Sequence, residues 1–311
     1  TRAAGTSSHK NKRSVRVIDV LRNCTVDAWP EQVLHHNLGS VNGQRVRQWV
    51  SDAVGYSVSH WRPVDVKCRR KASMQRGACS ARQQEENMAT TLAFDVYGTL
   101  IDTHGVVTAL REIVGERADA FSRAWRDKQL EYAFRRGLMG KYADFAVCTR
   151  QALDYTSASF KTELSDAQRR ELLGIYQRLP AFADVQAGLT QLREHGYRLY
   201  AFSNGSQAAV ETLLETAGIR SFFIDVVSVD DLSTFKPNPA VYAYFLQRSS
   251  AAGSDAWLIS SNPFDVIGAV SSGMRAAWLQ RSPDAVFDPW DIPPTLTVNS
   301  LPELIAGVGG T

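Results

Sequence analysis

The sequence predicts an α/β protein, a Rossmann-like parallel sheet core with an inserted α-helical cap, on three observations. From residue 91 onward, short apolar runs alternate with helix-compatible stretches, the pattern of βαβ units in a mostly parallel sheet. The first run, Leu92-Ala93-Phe94, ends on Asp95 and breaks into Gly98-Thr99. It thus sets a carboxylate at the C-terminal edge of a strand, where open α/β sheets bind their ligands. Roughly a hundred residues then separate the first run from the second, too many for a single crossover helix.

The strand candidates are 91–95, 198–203, 223–228, 257–260 and 276–279, each short, apolar and bounded by turn residues. Between the first two, residues 104–180 are rich in Ala, Leu, Arg, Glu and Gln. Phe121, Trp125, Leu130, Phe134 and Leu138 form an apolar stripe at helical spacing there. The economical arrangement has 88–103 and 181–311 as the core and 104–180 as a helical cap over the strand ends, a lid that excludes water.

Residues 1–87 read differently. They hold 15 Lys and Arg against 7 Asp and Glu, whereas 88–311 hold 20 against 25, so the basic sequence pI of about 8.7 belongs to the front segment. Nucleic-acid binding therefore does not follow from the whole-chain charge. The segment lacks sustained periodicity and has three readings: upstream sequence, a basic tail or targeting segment, or a small accessory domain around Trp29, Trp49 and Trp61. Met88, just before the first strand, reads as a natural translation start. No apolar stretch approaches a membrane span. Cys24, Cys68, Cys79 and Cys148 form no C-x-x-C pair and no zinc spacing, which fits a reducing, cytoplasmic location.

The chemistry starts at Asp95, a candidate nucleophile. Enzymes that move phosphate through an aspartyl intermediate place a second Asp two residues on, because a departing alkoxide must receive a proton. Here that position is Tyr97. A leaving group that is the anion of a strong acid, such as a halide, needs no proton. Thr99 stands in the turn to orient the nucleophile. With the second carboxylate absent, a complete magnesium site is not expected.

Six segments in order, FDVYGTL (94–100), WRDKQLEY (125–132), LMGKYADF (138–145), FSNGS (202–206), FKPNPAVY (235–242) and SSNPFDVIGA (260–269), carry a resemblance. From Met88 to about residue 305 the chain resembles the haloacid dehalogenase superfamily, specifically the type II L-2-haloacid dehalogenases. The resemblance implies that Asp95 attacks C2 of a short (S)-2-haloacid, displaces halide with inversion and forms an ester, which water then cleaves at the Asp95 carbonyl carbon. It implies that Lys236, supported by Tyr242, keeps the nucleophile ionised, and that Arg126 captures the halide or the substrate carboxylate. Ser203 and the backbone near Val96 and Tyr97 would bind the substrate carboxylate, and Asn204 would join the halide cradle. Asp265, with Ser260 and Asn262, would hold or deprotonate the water.

Phe264 would line the halide site with an aromatic edge. Pro263 before it departs from the family pattern and bears on the local loop. Tyr97, Leu130, Met139 and Phe145 are the expected apolar walls, although Leu130 and Met139 at helical spacing also fit cap core. The resemblance further implies turnover without cofactor or metal, a small-molecule substrate, no nucleic-acid or membrane partner, and a homodimer paired through cap helices. The rivals are another hydrolase or a phosphatase on the same fold, and a non-enzymatic basic adaptor. An Asp–His dehalogenase needs a His base, and after Met88 only His104 and His195 are present, neither in a suggestive segment.

Overall fold

The computed structural model describes residues 90–309; the expectations for residues 1–87 and Met88 lie outside them. In chain order the elements are β1 (Thr91–Phe94), α1 (Val107–Val114), α2 (Ala118–Leu138), α3 (Phe145–Ser159), α4 (Asp166–Ile175), α5 (Val185–Glu194) and β2 (Arg198–Ser203). They continue with α6 (Gln207–Thr216), β3 (Asp225–Ser228), α7 (Pro239–Ser249), β4 (Ala256–Ser260), α8 (Pro263–Ser271), β5 (Arg275–Leu279), β6 (Leu296–Val298) and α9 (Leu304–Val308).

The six strands form one parallel sheet in the order β3-β2-β1-β4-β5-β6. Phe94 pairs with Ala201 on one side and Ile259 on the other, so β1 is central. Its side chains alternate between two layers. Leu92 and Phe94 join a core with Leu189 of α5 and Leu213 of α6, while Ala93 meets Tyr242 and Phe245 of α7 and Val266 of α8. Burial on both faces explains why β1 and β4 read as continuous apolar runs rather than alternating ones.

Two strand expectations change. Residues 220–222 form a single 3₁₀ turn, so β3 starts at Asp225 rather than 223. The three-residue β6 lies in a Pro- and Asp-rich stretch too short to show periodicity.

Helices α1 to α4 lie between β1 and α5. Within α2 the buried face is Ala118, Phe121, Ser122, Trp125, Gln129 and Ala133. The apolar stripe expected from sequence thus holds at Phe121 and Trp125 but not beyond. The seam steps by four to Gln129 and Ala133, leaving Leu130 and Phe134 half-buried and Leu138 90% exposed. Among the described residues no helix is long and apolar enough to cross a membrane.

Candidate active site

The turn after β1 depends on Gly98. The Val96 carbonyl accepts from the amides of Thr99, Leu100 and Ile101, and closing that loop puts Gly98 at φ +84°, a conformation that disfavours any side chain. Asp95 leaves the sheet just before it, its amide bonded to the Ile259 carbonyl of β4 at 2.9 Å and its carboxylate almost wholly buried.

Four side chains converge on that carboxylate. Oδ2 accepts from Thr99 Oγ1 at 2.8 Å, Asn262 Nδ2 at 2.7 Å and Ser260 Oγ at 3.2 Å. Oδ1 receives Lys236 Nζ at 3.3 Å. One oxygen is thus saturated with donors while the other faces a single ammonium. Ser260 and Asn262, expected around a water, here bond the Asp95 carboxylate. Asn262 also reaches the Tyr97 carbonyl at 3.4 Å.

Lys236 is 1% exposed and stands between two carboxylates, its Nζ 2.8 Å from Asp265 Oδ2 and 2.8 Å from the Phe202 carbonyl. The ammonium thus bridges Asp95 and Asp265. Among the described residues no cluster of three or more His, Cys, Asp or Glu side chains could hold a metal ion. Pro239 opens α7 at a position where a missing N–H costs nothing, and Asn238 caps it through Ala240 N at 2.9 Å, which fixes the lysine loop. On α7, Tyr242 donates to Asp265 Oδ1 at 2.7 Å.

Both oxygens of Asp265 are therefore engaged and the residue is fully buried. Burial raises its pKa to about 6, against the opposing pull of Lys236 and with a further push from Asp95. Burial likewise raises the Tyr242 phenol, reinforced by the negative charge of Asp265. Pro263 is the first residue of α8, where its fixed φ suits the helix.

The loop after β2 supplies Ser203 and Asn204, both buried. Ser203 Oγ accepts from the Gly205 amide at 3.1 Å, and Asn204 Oδ1 accepts from the Lys236 amide at 2.9 Å, leaving the Asn204 NH₂ without a partner among the described residues. From α2, half-buried Arg126 donates to the Tyr97 carbonyl at 3.3 Å and to Gln129 Oε1 at 2.7 Å. Among the described residues two of its five N–H groups are used. Phe264 packs edge-on against Phe134 of α2, centroids 4.9 Å apart, and so joins α8 to α2.

A cleft of about 300 Å³ opens beside this cluster, lined by residues that include Tyr97, Phe145, Thr149, Arg150, Tyr176 and Gly205. Tyr97 and Phe145 are in ring contact at 5.8 Å, and burial pushes the Tyr97 phenol up to about 12. The cleft reaches the loop after β1 at Tyr97; Asp95 itself is outside its lining. Of the expected walls, Met139 is 62% exposed, just past the end of α2, and lines no part of this cleft, while Leu130 is half-buried outside it.

Sequence reasoning missed several residues. Ser261 takes Thr99 Oγ1 through its amide at 2.9 Å and donates to the Gly98 carbonyl at 2.7 Å. Arg281 holds the Thr99 carbonyl through Nη2 at 2.6 Å and Asp184 through Nη1 at 2.6 Å. Both act through backbone contacts that sequence spacing does not announce. Gln129 had one visible signal, a polar residue four positions after Trp125 on the seam of a helix.

Residues 89–273 match the family model of the haloacid dehalogenase-like hydrolases. The chain is 35% identical over 213 residues to the (S)-2-haloacid dehalogenase of Pseudomonas putida, covering 68% of this chain and 93% of that protein. It is 36% identical over 207 residues to haloacetate dehalogenase H-2 of Moraxella sp. (strain B), covering 67% and 92%. The L-2-haloacid dehalogenase of Xanthobacter autotrophicus, solved with chloropropionic acid covalently bound, superposes with a TM-score of 0.66 at 29% identity, covering 72% of this chain and 99% of that one. The chain belongs to the haloacid dehalogenase-like hydrolases.

Proposed function

We propose that this protein hydrolyses short-chain (S)-2-haloacids to (R)-2-hydroxyacids and halide through an ester on Asp95. The observation that carries the reading is the asymmetric cradle. Three donors hold Asp95 Oδ2 while Oδ1 keeps lone pairs beside one ammonium, so Oδ1 is the attacking oxygen. Its attack on C2 from the side opposite the halogen forms the C–O bond as the carbon–halogen bond breaks, and the pair leaves with the halide. The configuration inverts once. Tyr97, with its phenol near 12, stays neutral at pH 7 and donates no proton, which suits a leaving group that needs none.

Arg126 and the free amide of Asn204 stabilise the halide, and Ser203 with the backbone at Val96 and Tyr97 receives the substrate carboxylate. Tyr97 and Phe145 give the site its apolar walls. Water then attacks the carbonyl carbon of the ester. Asp265, ionised above about pH 6, accepts the water's proton and returns it to the departing hydroxyacid oxygen, which came from Asp95. Lys236 and Tyr242 hold Asp265 for this role.

The reaction needs no cofactor and no metal. We further infer a core of 88–103 and 181–311 under a cap of 104–180, a cytoplasmic location and a homodimer. The test is halide release from L- and D-2-chloropropionate by the protein and its Asp95→Asn variant. Release from the L enantiomer alone, abolished in the variant, supports the reading; equal release by the variant overturns it.

A further inference from the structure

Gln129 is the one fully buried amide on the seam of α2, at 0% exposure among Trp125, Ala133 and the residues of α3. A Leu at that position would gain apolar burial, whereas a buried amide is unfavourable there unless its bonds are made. They are made, and in one direction. The Phe145 carbonyl only accepts, and it takes the Thr149 hydroxyl at 2.8 Å. Thr149 Oγ1 then accepts from Gln129 Nε2, which turns Gln129 Oε1 toward the Arg126 guanidinium, 2.7 Å away. Trp125 Nε1 pins the same turn of α3 by donating to the Thr149 carbonyl at 2.9 Å. An acceptor-only carbonyl at one end and a donor-only guanidinium at the other leave the amide no second orientation.

We propose that Gln129 is a positioning residue for Arg126, locking the guanidinium so that its unused N–H groups face the leaving halide. This rests on the reading of Arg126 as the anion-capturing group. Unrestrained, an arginine on the solvent-reaching side of α2 samples many rotamers, and each halide capture would cost the entropy of freezing it. The Gln129–Thr149 chain fixes it in advance. Gln129 bears no charge, so it orients Arg126 without neutralising the attraction for an anion.

The test uses the full chain with L-2-chloropropionate as substrate and bromide as inhibitor. Gln129→Met keeps the volume and removes the lock, and Gln129→Glu keeps the shape but sets an anion against Arg126. Both are expected to raise KM and the bromide inhibition constant together by about tenfold, with a smaller fall in kcat. Arg126→Gln is expected to do the same, and Arg126→Gln combined with Gln129→Met is expected to be no worse than Arg126→Gln alone, since both act through one group.

Thr149→Val, which cuts the chain at its far end, supplies the same comparison if either Gln129 variant fails to fold. Gln129→Met within twofold of the parent in both constants, with Arg126→Gln impaired, overturns the proposal. So does strict additivity in the double variant, which would mark a separate structural effect. Unchanged KM and bromide inhibition in Arg126→Gln would instead overturn the reading of Arg126 itself.

Discussion

Replacing Lys236 by Met retains the apolar stem and removes the one cation shared by two buried carboxylates. At an effective dielectric near 20, an ammonium 3.3 Å from Asp95 and 2.8 Å from Asp265 stabilises each charge by about 5–6 kcal/mol before its own desolvation is subtracted. Breaking a buried pair typically leaves a net cost of about 3–5 kcal/mol. If about 3–4 kcal/mol of that falls on the ionised nucleophile, kcat/KM for L-2-chloropropionate drops by roughly 10²–10³. Because Lys236 lowers the Asp265 pKa, the residual activity should recover as pH rises, and the melting temperature should fall. The assay is initial-rate halide release from about pH 6 to about pH 9, alongside thermal melts. A Lys236→Met variant within threefold of the parent across that range, with an unshifted pH profile, would refute the reasoning.

Further outcomes follow from the same cluster. Asp265 must be ionised to accept a proton and its pKa is about 6, so turnover should fall as pH drops below about 6 while the Asp95 ester accumulates, detectable by mass spectrometry of quenched enzyme. Tyr242→Phe removes a 2.7 Å bond to ionised Asp265. It should cost about 1–3 kcal/mol of stability, read by denaturant titration, and move the acidic limb of the pH profile upward. Gly268→Ala would set a Cβ 2.4 Å from the Tyr242 oxygen and 2.8 Å from Pro237 Cβ, so it should displace Tyr242 and shift that limb in the same direction. Excess EDTA should leave halide release unchanged, and strict Mg²⁺ dependence would contradict the metal-independent reaction proposed above.

Much of this fold was legible because its central strands are buried on both faces, and continuous apolar runs such as Leu92-Ala93-Phe94 and Trp257-Leu258-Ile259 have few other readings. Where burial is one-sided or brief, legibility fails. β6 spans three residues, and Ile224, 58% exposed, extended the apparent strand past its true start. The stripe through Leu130 and Leu138 failed for a different reason: the seam of α2 follows a polar residue, Gln129, which hydrophobic spacing skips. Among the site residues, Asp95, Lys236, Tyr242, Asn262 and Asp265 do come together within one hydrogen-bonded cluster. The resemblance set Lys236 and Tyr242 beside Asp95, but the rest of the pairing was not legible. Sequence order gave no sign that Asn262 would hold the Asp95 carboxylate, or that Asp265 would spend both oxygens on Lys236 and Tyr242.

The most direct test is a single turnover in oxygen-18 water with enzyme in excess over L-2-chloropropionate. Attack by Asp95, followed by water addition at its carbonyl carbon, places the label in the Asp95 carboxylate and leaves the first 2-hydroxypropionate unlabelled. A labelled first product with an unlabelled Asp95 peptide would mean that water displaces the halide directly, and the ester on Asp95 would have to be abandoned.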